Sequence, residues 1–332
     1  MPPLTARSVF RAYRRTTLPD PFVTQPAWSS SRRYLLTAGF GAQFADSARR
    51  LKRQAEAAGW FDGVRCFTAD AAEPWLREFL ASTAEFRHSN PRGYGLWYWK
   101  PFLVQKMLAE IEADAHLYYV DAGCEISALG AGRFKEFDRR LRDQGTLFFT
   151  LPFMEVDWTS PSLIARFAGT HIGLTPQVQA TWFGLRNTAN VRSLVEGWWR
   201  ESAANDFEAL RGADGTGDAT ARSFEHRHDQ SVLSCLVKTT QPPIPTLPWE
   251  DFYAPWLYCR DSWALLEPVH ALRRAGPDSV VDDLVRRSNA EACWNNLRSP
   301  GRAFRVRSGA RRWSRVLRDE ITFLRGRVSR TR

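Results

Sequence analysis

Three stretches of this 332-residue chain bring together residue types that can do chemistry. The first is Tyr118-Tyr119-Val120-Asp121-Ala122-Gly123-Cys124-Glu125. A β-prone run delivers one carboxylate at its carboxyl end, and small residues (Ala122, Gly123) follow it, which lets a ligand approach the backbone. Such a carboxylate suits a hard divalent cation, Mg²⁺ or Mn²⁺, bridged to a diphosphate, because those cations want oxygen ligands and take few of them from protein. Asp121 is the expected ligand and Glu125 the candidate second one. An ordinary Asp-Gly-type turn is the competing reading.

The second stretch, Arg92 to Pro101 (RGYGLWYWKP), packs glycines, aromatics and two cations directly ahead of a helix. A helix N-terminus offers N–H groups and partial positive charge to a phosphate. Lys100 adds a point charge and Arg92 a planar fork. Gly95 permits close backbone approach, and Trp97 offers a face for a base or sugar. An aromatic plug under a loop is the alternative. The third stretch is His226-Arg227-His228-Asp229-Gln230-Ser231, ahead of an apolar helical pattern. Asp229 is either a helix cap or a site group. Asp157-Trp158-Thr159 and Gln179–Arg186 (QATWFGLR) are weaker candidates, in which Trp158 or Trp182 stacks on a sugar or fills the core.

Elements must position these groups. Tyr34–Ala38, Val64–Thr68, His116–Val120 and Thr146–Thr150 read as buried strands. Helical patterns over Phe44–Ala58, Pro74–Ser82, Pro101–Ala113 and Phe134–Asp143 alternate with them, and Phe86–Trp99 reads as a loop. Further on, Gln179–Arg186 reads as a strand, and Ser160–Phe167, Val191–Ser202 and Asp229–Val237 as helices. Alternation of this kind predicts an α/β fold with a mostly parallel, doubly wound sheet. Ligands bind such sheets beyond the carboxyl ends of the strands. Thr37, Gly39 and Asp121 therefore share one expected edge.

Composition bounds the function. The formal charge is +10, but residues 298–332 hold 12 Arg and two acids, so the rest of the chain is neutral. A neutral body argues against a nucleic-acid binder, which carries its basic stripe on the folded domain. Five scattered cysteines (Cys66, Cys124, Cys235, Cys259, Cys293) show no zinc spacing and suggest free thiols in a reducing cytoplasm. No apolar run is long enough to span a bilayer. The Arg-rich start shows no signal-peptide core; a transit peptide is the alternative reading. Trp313, Val316, Leu317, Ile321, Leu324 and Val328 recur at helical spacing among arginines. That pattern predicts either a basic amphipathic helix on an anionic membrane surface or a helix docked on its own domain.

Together, RGYGLWYWKP, YVDAGCEI (119–126), QATWFGLR and HRHDQSVLS (226–234) resemble bacterial glycosyltransferases of the GT-A type that act on capsule and lipopolysaccharide sugars. The resemblance covers about Tyr34 to Trp256. It implies a Rossmann-like catalytic domain over 32–260, preceded by an arm (1–31) and followed by a basic helical region (261–332). It implies a nucleotide-diphosphate sugar donor, most readily a UDP-sugar, and a glycan or lipid-linked acceptor. The enzyme would sit in the cytoplasm or on the inner face of the cell membrane. Asp121 takes the family's metal- and diphosphate-binding position, although Gly123 stands where a second Asp is usual. Gln230 takes the place below the anomeric carbon, and Asp229 that of the acid bonding donor-sugar hydroxyls or the acceptor. His226, His228 and Trp182 line the acceptor side. Retention would use Gln230 to steady an oxocarbenium-like centre; inversion would need Asp229 or Asp157 as base. A non-catalytic nucleotide-sugar or glycan binder on the same fold is the alternative.

Overall fold

The computed structural model describes residues 30–167, 171–212, 225–248, 268–271, 276–279 and 281. The chain divides into two compact units, Met1–Asn289 and Ala290–Arg332, and every described residue belongs to the first. The N-terminal arm up to residue 29, Cys259, Cys293 and the basic tail lie outside the described residues.

Strands β1 (Arg33–Gly39), β2 (Gly63–Thr68), β3 (His116–Val120), β5 (Thr146–Met154), β6 (Pro176–Val178), β7 (Trp182–Arg186) and β8 (Thr246–Pro248) form one sheet. Its order is β2-β1-β3-β7-β5-β6, with β8 also pairing β5. The β1–β2, β1–β3 and β5–β8 pairs are parallel, whereas β7 runs antiparallel to both β3 and β5. Only β6 and β7 therefore oppose the common direction, and the sheet is mostly parallel, as the alternation predicts. A two-stranded ribbon joins β4 (Glu125–Ile126) to β9 (Val269–His270).

Residue parity along the strands separates two cores. Leu36, Leu117, Tyr119, Phe148, Phe183 and Leu185 face one side. There they meet helices α2 (Pro74–Ser82), α4 (Trp99–Glu110), α8 (Ala189–Arg211) and α9 (Asp229–Thr239). Leu35, Tyr118, Val120, Phe149 and Trp182 face the other side, against α1 (Ala42–Ala58) and α5 (Ala131–Gln144). The sheet is thus flanked by helices on both faces. Buried Asp138 of α5 accepts from Tyr118 Oη at 2.8 Å and pairs with His116 Nδ1 at 2.7 Å, which fixes α5 on β3.

The stretch expected as a loop, 86–99, has structure of its own. A short helix α3 (Ala84–Ser89) is followed by a left-handed turn: Gly93, Tyr94, Gly95, Leu96 and Trp97 have φ of 60, 56, 91, 55 and 59°. Non-glycine residues pay about 1–2 kcal/mol each in that region. Offsetting packing is present: Tyr94 stacks on Phe40, and Trp97 on His228. A Cβ on Gly93 would lie 2.4 Å from the Trp97 ring, so both φ and space require glycine there.

Candidate active site

Asp121 follows β3 on the carboxyl edge of the sheet. Residues 117, 119 and 121 share a face, so its carboxylate lies on the side covered by α4, α8 and α9. Tyr119 Oη donates to Asp121 Oδ1 at 2.8 Å, and Thr181 O accepts from Asp121 N at 2.8 Å. The left-handed turn leads directly into α4, whose first turn carries Lys100 beneath this edge. Lys100 Nζ lies 3.2 Å from Asp121 Oδ1 and 2.8 Å from Asp229 Oδ2. It also donates to Ala180 O at 3.2 Å and lies over the Tyr119 ring. The ammonium thus meets three oxygens, the Ala180 carbonyl as a hydrogen-bond acceptor and two carboxylate oxygens as ion-pair partners. The contact with Asp229 is a close ion pair rather than an aligned hydrogen bond.

Burial sets the electrostatics. The Lys100 side chain is 3% exposed and that of Asp229 4%, whereas Asp121 is 26% exposed. Burial works against the Lys100 charge, but the two carboxylates outweigh it and hold its pKa above the ordinary value. Burial pushes the Asp229 carboxyl up to about 6; Lys100 opposes that rise and Asp121 adds to it.

Gln230 stands beside this cluster. Its Oε1 accepts from Ala180 N–H at 3.1 Å and its Nε2 donates to Gln177 Oε1 at 2.6 Å. One peptide, Ala180, therefore touches Gln230 through its N–H and Lys100 through its C=O. The flanking Gln179 closes this turn: its Oε1 accepts from the N–H groups of Thr181 and Trp182. Consequently Gln179–Thr181 form a turn and β7 starts at Trp182, later than the sequence pattern suggests.

The structure thus brings Asp121, Lys100, Asp229 and Gln230 together. Arg92 pairs with Glu225 at 3.4 Å on the surface. His226 and His228 tether α8: His226 Nδ1 accepts from Ser160 N–H at 3.2 Å and its Nε2 donates to Ala209 O at 2.9 Å, while His228 Nδ1 donates to Leu210 O at 2.7 Å. Only His228 Nε2, of these ring nitrogens, has no hydrogen-bond partner. Burial lowers the His228 pKa. Asp157 contributes its carbonyl, which accepts from Glu225 N–H at 3.0 Å and so holds the segment leading to α9.

Other expectations need correction. Thr37 and Trp182 lie on the opposite sheet face, both buried, and Trp182 packs against Phe137 and Phe149. Trp182 therefore fills the core instead of meeting a sugar. Gly39 makes room for α1, since a Cβ there would lie 1.9 Å from Phe44 O, and Gly95 makes room for Tyr98. The N-terminus of α4 is buried, and its early N–H groups already meet turn carbonyls, Tyr98 N–H on Gly95 O and Lys100 N–H on Trp97 O. Those N–H groups therefore serve the turn rather than a phosphate.

Ala122 and Gly123 form the turn after Asp121, and Cys124 N–H closes it on Asp121 O at 2.9 Å. Buried Arg50 holds this turn through the carbonyls of Ala122 and Cys124, both at 3.1 Å, while its other amino group reaches Gly276 O. Glu125 is fully buried, and its Oε2 accepts from Ser279 Oγ at 2.6 Å and Val281 N–H at 2.8 Å. Among the described residues, the fitting donor for a divalent cation is therefore the partly exposed carboxylate of Asp121, a sparse set that suits a cation held mostly by diphosphate and water. Among the described residues, no group of three or more His, Cys, Asp or Glu is placed to hold a metal.

Sequence reasoning missed Arg50 and Glu155. Fully buried Glu155 pairs with Lys238 and accepts from Thr159 Oγ1, Ser234 Oγ and Gln177 Nε2. A signal existed: Ser231, Ser234 and Lys238 recur at helical spacing among the apolar residues of α9.

No protein-family pattern matches the sequence, and no curated protein does. The chain is similar to solved glycosyltransferases. One is involved in glycosylation of the major capsid of PBCV-1 (10% identity, 77% of this chain and 99% of that one, TM-score 0.40). Another is mouse xyloside xylosyltransferase 1 (12% identity, 72% and 97%, TM-score 0.36). A third is the galactosyltransferase LgtC (14% identity, 82% and 98%, TM-score 0.38). Likenesses at this level transfer no residue roles.

Proposed function

We propose that the protein is a glycosyltransferase that moves a hexose from a nucleotide-diphosphate sugar, a UDP-sugar first, to a cell-surface polysaccharide or lipid-linked glycan. The observation that carries this reading is the ion-paired cluster of buried Lys100 and Asp229 with partly exposed Asp121, beside Gln230 on the carboxyl edge of the sheet. Buried charges are costly unless they are paired, and perturbed groups gathered at a strand edge mark functional sites.

In this reading Asp121 would hold a divalent cation beside the donor diphosphate. A divalent cation bound there supplies neutralisation of the leaving group. Lys100 balances two carboxylates that would otherwise repel, and so fixes Asp229 where it can accept from donor-sugar or acceptor hydroxyls. The second lone pair of Gln230 Oε1 steadies positive charge developing at the anomeric carbon, which favours retention. In this reading His228 Nε2, a buried nitrogen without a hydrogen-bond partner in the structure, would accept from an acceptor hydroxyl. The basic tail, by its sequence pattern, would hold the enzyme at an anionic membrane surface.

Turnover of a panel of UDP- and GDP-hexoses, with Mn²⁺ and with EDTA, tests the proposal. One donor is expected to be hydrolysed or transferred, and Asp121→Asn to lower kcat/KM by at least about 100-fold, the scale of losing one electrostatic stabiliser. Gly123, standing where a second acid is usual, is what favours the second reading, a non-catalytic nucleotide-sugar binder. Donor binding without turnover by any donor would support it.

A further inference from the structure

We propose that Glu155 and Gln177 are positioning residues that fix the direction of the Gln230 amide, an inference that rests on the transfer site proposed above. An amide can be turned end for end at little steric cost, so its direction is set by its partners. Here both ends of a two-amide chain are pinned by groups of unambiguous polarity. At one end, Gln177 Nε2 meets Glu155 Oε1 at 3.1 Å and Trp158 O at 3.3 Å. Both are acceptors, so the NH₂ of Gln177 must face them and its oxygen must face Gln230. At the other end, Ala180 N–H lies 3.1 Å from Gln230 and can only donate. Gln230 must therefore offer oxygen to Ala180 and NH₂ to Gln177, 2.6 Å away. The two ends agree on one orientation, and without the Gln177 end the amide is held at a single point by Ala180 N–H.

Glu155 is held for this task. It is fully buried, pairs with Lys238, and accepts from Ser234 Oγ, which in turn accepts from Val178 N–H at 2.8 Å. α9 thus carries both the aligned group, Gln230, and two residues that anchor the aligning carboxylate. The half-buried Gln230 oxygen is left facing the Ala180 peptide, whose carbonyl binds Lys100. An amide turned the other way would place NH₂ against Ala180 N–H and present a donor toward the anomeric centre, where positive charge develops.

The test uses the full chain and three variants: Gln177→Leu, Glu155→Gln, and the exchange Glu155→Gln/Gln177→Glu, which restores an acceptor next to Gln230 Nε2. Donor-nucleotide affinity by calorimetry is expected to stay within about twofold, while kcat falls about tenfold or more in both single variants and recovers in the exchange. Hydrogen exchange of the Gln230 side-chain NH₂, followed by NMR, is expected to be at least about tenfold faster in Gln177→Leu, as its acceptor is lost. Unchanged kcat and unchanged exchange would overturn the proposal. So would parallel loss of affinity and kcat without recovery in the exchange, the mark of a merely structural role. Failure of the glycosyl-transfer reading shows differently, as no donor turnover by the unaltered chain, and the amide exchange then still decides the relay.

Discussion

At the scale of residues, Lys100 governs the balance of the site. Removing one partner of a buried ion pair leaves uncompensated charge, at about 3–5 kcal/mol. Partial exposure of Asp121 moves the expectation to the lower end, so Lys100→Met should lose about 3 kcal/mol in urea unfolding near neutral pH. Adding Asp229→Asn should restore part of that loss, and simple additivity of the two would contradict the pairing. Asp229 also predicts a pH dependence. Its folded pKa of about 6 lies above its ordinary 3.8, so the folded state holds its proton more tightly. The contribution is therefore full at low pH and is lost as pH rises through roughly 4 to 6. The difference in stability between the natural chain and Asp229→Asn should carry that slope and flatten above it. Asp121, Lys100, Asp229 and Gln230 were each legible in the sequence as chemistry-bearing types. Their mutual pairing was not, because Lys100 comes from a helix and Asp121 from a strand edge. Trp182, open in the sequence between a sugar platform and the core, packs in the core on the sheet face opposite Asp121, a placement that only the pairing of β7 with β3 and β5 reveals.

At the scale of elements, the helices and strands with strong periodicity were readable, and Pro74–Ser82 matches to the residue. The left-handed turn 93–97 was not, since three of its residues are ones that ordinarily avoid positive φ. Its two glycines were visible, yet they act for the fold: they let the chain reverse tightly and deliver Lys100. Gly93→Ala should therefore destabilise by about 2 kcal/mol or more, from left-handed strain plus the clash with Trp97. Gly132 in α5 has open space around a Cβ, so Gly132→Ala should be neutral or stabilise by up to about 1 kcal/mol. Thermal melts of the pair check this, and equal effects would contradict the assigned role of the turn. The ordering of α9 above Glu155 was half legible: the polar spacing could be read, but the carboxylate it serves lies on a distant segment.

At the scale of the molecule, alternation predicted the mostly parallel sheet, while the antiparallel β7 between β3 and β5 could not be read from pattern alone. Val269–His270 pair with β4, Gly276 O accepts from Arg50 of α1, and Ser279 and Val281 donate to Glu125, so described residues beyond 260 pack onto the body of the fold. The net charge resides in residues 298–332. A chain lacking them should lose flotation with anionic vesicles while keeping donor binding, and unchanged flotation would remove the membrane role. The central claim concerns where the donor diphosphate sits. Soaking crystals with a panel of UDP- and GDP-sugars tests it most directly. The account predicts a diphosphate against the Asp121 carboxylate at the carboxyl edge of β3, with the sugar toward Asp229 and Gln230. A diphosphate bound away from Asp121 would contradict it.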